Sequence, residues 1–315
     1  MSEINESLVK IVPGHTTRAP DRAISPANFD TLQRINQTEE KHGVRQAWRW
    51  RRHLSAITVS AILILLIWQA AENPAFDWPL VGHYLFDSQI LKGLWTTLWL
   101  TALVTLLSVI FGVVVALMRL SRNPVVSLFA WSYIWLFRAT PLLVQLLFWF
   151  NIGYLVPRLT LGWPGSSPWF SVSTNDLISA IGASILGLTL HGMAYSAEFI
   201  RGGLLAVPQG QKEAATMLGL SPSEIFIKIT LPQSLRTIIP ALGNFLIDNL
   251  KGTSIISVVA VTELLYSAQL IYNRNYKIIP LLLVATFWYV LVTSVLSLLQ
   301  HWSERYYGRG YHRKS

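Results

Sequence analysis

The sequence predicts an all-α, polytopic membrane protein with six transmembrane helices. Three observations carry the prediction. Of the 315 residues, 52% are hydrophobic and only 13% are charged, against about 25% charged in soluble domains. Six long runs along the chain are free or nearly free of charge. Lys and Arg collect in alternate segments between those runs, as they do where one side of a membrane retains them.

Residues 1–50 are polar, with Pro13, Pro20 and Pro26 among scattered charges. They read as a flexible N-terminal extension without a cleavable signal peptide. The first run, residues 54–71, has no Asp, Glu, Lys or Arg and sits at the short end of the ~20 residues a crossing needs. Residues 93–118 are equally free of charge. The upstream stretch 86–100 has apolar residues at helical spacing, as an interfacial helix would. Residues 123–157 carry only Arg138, and Pro141 within them predicts a tilt or a break. Residues 177–197 hold only His191 as an ionisable group of basic type, residues 237–262 only Asp248 and Lys251, and residues 278–302 no Asp, Glu, Lys or Arg. In lipid the backbone must satisfy itself, so each run is expected as a helix.

Orientation follows from the basic residues. With the N-terminus inside, segments 1–53, 119–124, 198–236 and 300–315 hold nine, two, four and four Lys or Arg. The outer segments 72–92, 157–176 and 263–277 hold one, one and two. Both termini, including the basic tail 306–315, are therefore expected in the cytoplasm, with Arg49, Arg51 and Arg52 at the inner end of the first span. The outer loop 157–176, with Pro157, Pro164, Pro168, Trp163 and Trp169, has the composition of an interface anchor. It is also a possible docking surface for an external partner. The net charge of +9 is explained by this asymmetry; no basic run accompanies a nucleic-acid recognition motif. Cys is absent, which excludes disulfides and thiolate chemistry.

The inner loop 207–232 has its own grammar. Val207-Pro208 opens a helix, since Pro suits a first turn. Glu213, Ala214, Ala215 and Met217 favour helix. Gly219 is where the chain can turn left-handed and stop. Ser221-Pro222-Ser223-Glu224 has the form of a capping box with Pro at the first position. Ile225, Phe226 and Ile229 then place an apolar stripe on a second helix, which Leu231-Pro232 interrupts or ends. An exposed apolar stripe on such a pair either docks a partner or lies on the bilayer as an ordinary amphipathic loop, and composition by itself favours the latter.

The pattern Glu213-Ala214-Ala215, Gly219, Ile229, Leu231-Pro232 resembles the loop signature of permease subunits of ATP-binding-cassette (ABC) importers. Residues 137–145 (Phe-Arg-Ala-Thr-Pro-Leu-Leu-Val-Gln), 194–203 and 250–254 resemble blocks of the polar amino acid subgroup. That subgroup more often has Gly at the position of Ala139 and Asp at that of Gly252. The resemblance covers residues 85–305 and implies a five-helix, MetI-like core, with the helix at 54–71 as an addition. It further implies that 207–232 is a coupling loop seated in a groove of a cytoplasmic ATPase dimer, with Glu213 bonding donors there or serving only the electrostatics of its helix's first turn. It implies a second permease subunit, identical or related, an external solute-binding protein, and a bacterial inner-membrane location. No phosphate-binding Gly-x-x-x-x-Gly-Lys-Ser/Thr occurs in the chain. ATP and Mg are accordingly expected on the ATPase, with no cofactor or metal on this chain and no enzymatic activity of its own.

Charged groups inside a membrane are costly unless paired or hydrated, which makes each one a pathway candidate. Arg138 is placed either to attract a substrate carboxylate or to cap carbonyls freed by Pro141. Asp248 and Lys251, three apart with Asn244 on the same face, either pair with each other or offer Asp248 to a substrate ammonium. Gln145, His191, Tyr195 and Glu198 are further polar candidates, and Glu198 is within reach of Arg201. A zwitterionic amino acid needs both signs of charge, and these residues supply them. Other readings are a permease for an opine or a sulfur compound, a channel or secondary transporter without an ATPase, or a membrane enzyme. The loop 207–232 argues against a channel or secondary transporter, and no paired carboxylates or Ser-His-Asp order supports an enzyme.

Overall fold

The computed structural model describes residues 44–161, 163 and 168–307. Most of the expected tail 1–50, nearly all of the tail 306–315, Pro164 and the side chains of Arg49, Arg51 and Arg52 lie outside the described residues. Helix α1 (Val44–Glu72) belongs to one compact unit, and everything from Asn73 onward forms a second. α1 has 29 residues, so it starts ten residues before the uncharged run and is ~44 Å long.

The second unit opens with a short turn whose Asn73 side chain accepts from the Ala75 amide. Helix α2 (Trp78–Leu85) follows. The interfacial helix expected at 86–100 therefore lies upstream, at 78–85. The long helix α3 (Ser88–Arg119) starts at once behind the Asp87 cap. α2 is held against the last helix by Trp288, whose Nε1 donates to the Leu85 carbonyl. The Asp77–Lys277 ion pair, 3.0 Å, ties the same corner.

Helices α4 (Pro124–Ala139) and α5 (Leu142–Phe150) form the expected broken span, bent by 102° at Thr140-Pro141. Thr140 is extended (φ −104°, ψ 141°), as a residue before Pro must be. Beyond α6 (Ile152–Leu155) the segment 157–176 contains a β-hairpin, an addition to the all-helical expectation. Strands β1 (Arg158–Leu161) and β2 (Phe170–Ser173) pair antiparallel, Arg158 opposite Ser173 and Leu161 opposite Phe170. Trp163 and Trp169 meet edge to face at its tip. The turn α7 (Thr174–Leu177) leads into α8 (Ala180–Leu205).

α8 is the centre of the bundle. Its length of 26 residues spans ~39 Å, but its middle is rich in Gly, Ala, Ser and Thr rather than large apolar residues. The reason is close packing. A Cβ on Gly112 of α3 would lie 2.1 Å from Ser196 Oγ, and one on Gly192 would lie 2.3 Å from Ser108 Oγ. Ser108 and Gly112 are four apart on α3, Gly192 and Ser196 four apart on α8. These two small-residue faces bring the backbones together, as membrane helices do when packing rather than hydrophobicity must hold them. The Ser196 hydroxyl donates to the Ser108 carbonyl at 2.6 Å.

Helix α9 (Gln209–Met217), the turn α10 (Pro222–Glu224), a π-helical segment (Ile225–Thr230) and α11 (Leu231–Gly252) follow. A 3₁₀ segment (Thr253–Val259), helix α12 (Leu264–Asn275) and helix α13 (Ile278–Tyr307) finish the chain. Glu263 is fully buried. Its carboxylate accepts from the Leu265 and Tyr266 amides and from Tyr289, and so caps α12 while joining it to α13. Among the described residues three helices are each long and apolar enough to cross a membrane: α1, α3 and α13. Two more spans qualify as bent pairs, α4 with α5, and residues 222–259 with α12, the latter bent by 44°. α8, qualifying by length, is the sixth expected crossing.

Candidate functional site

The loop 207–232 folds largely as its sequence grammar dictates, with Pro208 as the cap before α9 and not within its first turn, and with one further correction. Gly219 has φ +79°. The Leu220 amide donates to the Ala215 carbonyl and the Gly219 amide to that of Thr216, the paired bonds of a Schellman closure. The Ser221–Glu224 capping box is complete in both directions. Lys228 holds Glu224 at 2.8 Å. The Lys228 ammonium, with Ser221 donors behind it, pulls the Glu224 carboxyl down to about 2. The correction concerns Leu231-Pro232. They do not end the second helix; residues 222–252 stay helical throughout. Pro232 cannot donate, and its ring would strike the carbonyl four residues back. The segment 225–230 relieves this by widening to the π register, with the Leu231 amide donating to Phe226.

The loop's residues divide between two faces. Ala215 is buried (3% exposed) on the bundle side, whereas Met217 and Leu218 are 89% and 81% exposed. Glu213 and Ala214 are exposed with them. At 100° per residue the helix turns Ala215 inward and leaves Ala214 outward. Ile229 and Leu231 are half-buried and Pro232 is exposed, while Phe226 and Ile227 carry the exposed apolar surface of the second segment. Met217, Leu218 and Ile227 were missed because no motif marks them; only the helical phase set by Gly219 does.

Within the bundle, the Pro141 break is closed by Gln145 and not by Arg138. Gln145 Nε2 donates to the carbonyls of Phe137 (2.8 Å) and Thr140 (3.0 Å), and its Oε1 faces His191 Nδ1 at 3.2 Å. Arg138 is thereby left for other work. Its guanidinium lies over the Tyr195 ring at 5.3 Å and reaches Glu198 at 3.8 Å. Glu198 is already held by both nitrogens of a Arg201 fork, at 2.9 and 2.8 Å. These residues line a cavity of about 460 Å³ with Arg119, Trp131 and Trp135. Three guanidiniums therefore surround one carboxylate, an excess of two positive charges beside two stacked indoles. Arg119 and the two Trp residues were missed, since they lie outside the motif blocks and join the site only through folding.

Asp248 and Lys251 are not part of this cavity. They pair with each other at 2.9 Å and are 70% and 55% exposed. With Thr237 and Asn244 they form an exposed polar stripe along α11. No group of His, Asp and Glu able to hold a metal occurs among the described residues.

Residues 108–309 match the family described as binding-protein-dependent transport system inner membrane component. The chain is 37% identical over 272 residues to the arginine transport system permease protein ArgU of Corynebacterium glutamicum, covering 86% of this chain and 84% of that one. It is 35% identical over 218 residues to the nopaline transport system permease protein NocM of Agrobacterium fabrum, covering 67% and 84%. The crystal structure of an amino acid ABC transporter with histidines superposes with a TM-score of 0.60 at 34% identity, covering 69% of this chain and 93% of that chain. The chain belongs to the binding-protein-dependent inner membrane component family, the multi-pass permease subunits of ABC importers, which carry solute and leave ATP hydrolysis to a separate subunit.

Proposed function

We propose that this chain carries a polar amino acid across a bacterial inner membrane, with both termini cytoplasmic and α9 to Thr230 as the seat of the ATPase. The observation that carries the substrate reading is the cavity around Glu198. It offers cationic groups for a carboxylate and one carboxylate for an ammonium, the two signs a zwitterion needs, and ~300–1,000 Å³ is the usual size of a small-molecule site. Arg138, with no role in closing the Pro141 break and only a long 3.8 Å contact to Glu198, is the group placed to meet the substrate carboxylate. Tyr195 steers it, Glu198 faces the ammonium and Gln145 fixes the break that positions Arg138. ATP and Mg act on the partner ATPase, and this chain holds no cofactor. Closure of the ATPase dimer moves α9 and tilts the bundle between inward-open and outward-open states.

The exposed stripe Thr237, Asn244, Asp248 and Lys251 supports a second permease, identical or related, against α11, because polar groups inside a membrane face water or protein. An external solute-binding protein delivers the substrate. The nopaline relative favours a second reading, in which the cargo is an opine.

The test is uptake of labelled amino acids and opines by the reconstituted transporter with its ATPase and binding protein. Glu198→Gln and Arg138→Gln are expected to cut uptake of the preferred solute at least tenfold, with stimulation of the ATPase by the loaded binding protein retained in part. Wild-type uptake by both variants would overturn the assignment of the cavity.

A further inference from the structure

Beside the coupling segment lies a second groove, of about 500 Å³. It is walled by the inner ends of α3 and α8, through Leu117 and Leu205, and by Ile225 and Phe226 of the π-helical segment. Leu117 and Leu205 are 52% and 55% exposed, on the ends of helices whose apolar bodies cross the bilayer. Two cations close the groove, Arg122 from the α3–α4 turn and Lys212 from α9. No carboxylate lines it. Among the described residues neither cation has a carboxylate within ion-pair distance.

We propose that this groove binds one anionic phospholipid, its phosphodiester between Arg122 and Lys212 and its acyl chain along Leu117 and Leu205. The inference rests on the proposed orientation, which puts this end of the bundle at the cytoplasmic leaflet. Charge complementarity selects the occupant. An apolar wall open to the bilayer and ending in two unpaired cations matches a chain that ends in a phosphodiester, and anionic lipids attract cations near the membrane surface. The ATPase is not the natural occupant. α9 presents Lys212 and Thr216 to the groove, four residues apart on one face, whereas the fully exposed Met217 and Leu218 do not line it. A lipid seated there touches both the ends of α3 and α8 and the helix that receives the ATPase. It therefore braces the hinge at Gly219.

The experiment compares full-length protein in nanodiscs of phosphatidylcholine with and without phosphatidylglycerol, reading the lipids retained by native mass spectrometry. Wild type is expected to keep one phosphatidylglycerol preferentially. Each attracted cation is worth about fivefold, so Arg122→Gln or Lys212→Gln lowers the preference ~5-fold and the double variant ~30-fold. The charge-preserving Arg122→Lys with Lys212→Arg retains it and controls for folding. Arg236→Gln, a cation at the same end outside the groove, leaves the preference unchanged. An equal loss in Arg236→Gln, no loss in the double variant, or displacement of the lipid by millimolar inorganic phosphate would each overturn the proposal. Because the chain has no native Cys, labelling of Ser223→Cys reads orientation separately. Labelling from outside sinks the orientation and the proposal together, while labelling from the cytoplasm without lipid preference sinks only the proposal.

Discussion

Gly219 isolates the hinge of the proposed coupling loop better than any other position. Its φ of +79° is a conformation that L side chains rarely adopt, yet a Cβ built there meets nothing within 4 Å. Any cost of substitution is therefore conformational and not steric packing against neighbours. An L-residue in the left-handed region costs about 1–2 kcal/mol, less for Asn and more for a β-branched side chain. Against RT of ~0.6 kcal/mol, that shifts the population of the closed turn roughly 5- to 30-fold. The bonds at risk are Leu220 to Ala215 and Gly219 to Thr216, which fix the angle between α9 and the helix beginning at Pro222. The expected order of coupling efficiency is Gly, then Asn, then Ala, then Val. The assay is uptake per ATP hydrolysed in proteoliposomes at matched insertion. Val is expected to hydrolyse ATP with little uptake, and Asn to keep most of it. The reasoning is refuted if Asn is as damaging as Val, because size and not backbone conformation would then set the effect. Wild-type coupling in Val would refute the role of the turn altogether.

Three further outcomes are expected. Gln145→Leu removes the donor to the Phe137 and Thr140 carbonyls, and leaving such groups unsatisfied costs about 1–3 kcal/mol; a lowered thermal midpoint of the solubilised protein checks this. Gly112→Ala forces apart α3 and α8 and destabilises by about 1–3 kcal/mol, with Ser196→Ala restoring part of the loss because the nearest atom is Ser196 Oγ, which can be read from the same melting curves. Glu224 has a depressed pKa, so its cap is fully formed above the ordinary value of 4.5 and is lost as pH falls toward about 2. Exchange protection of the Ser221 amide, corrected for intrinsic rate, is expected to stay constant down to about pH 5 and then fall, and Glu224→Gln is expected to remove that dependence.

How much of this was legible depended on how local each signal is. The loop 207–232 is local: the Pro208 start, the Gly219 turn and the Ser221–Glu224 box each lie within a few residues, and all three formed, with Pro208 as the cap before Gln209 rather than in the first turn. Pro141 was equally legible as a break. The continuation of the helix through Leu231-Pro232 was not, because a π-helical detour is decided by the cost of a particular clash and leaves no periodicity. The cavity was legible in parts. Arg138, Tyr195 and Glu198 stand in motif blocks, but Arg119 arrives from the end of α3 and Trp131 and Trp135 from a face of α4, and they join the cavity only in the folded bundle. Asp248 and Lys251 show the converse. They sit at the right spacing to bond each other, and the fold turns them away from the cavity onto the open face of α11.

The central claim is that α9 and the residues after it receive the movement of the ATPase. A photo-cross-linker at Met217 or Leu218, the most exposed apolar positions of that segment, tests it in the working transporter. The account predicts an adduct with the ATPase subunit in high yield, and loss of uptake in proportion to the adduct formed. A transporter that imports normally while Met217 and Leu218 give no adduct with the ATPase would contradict it.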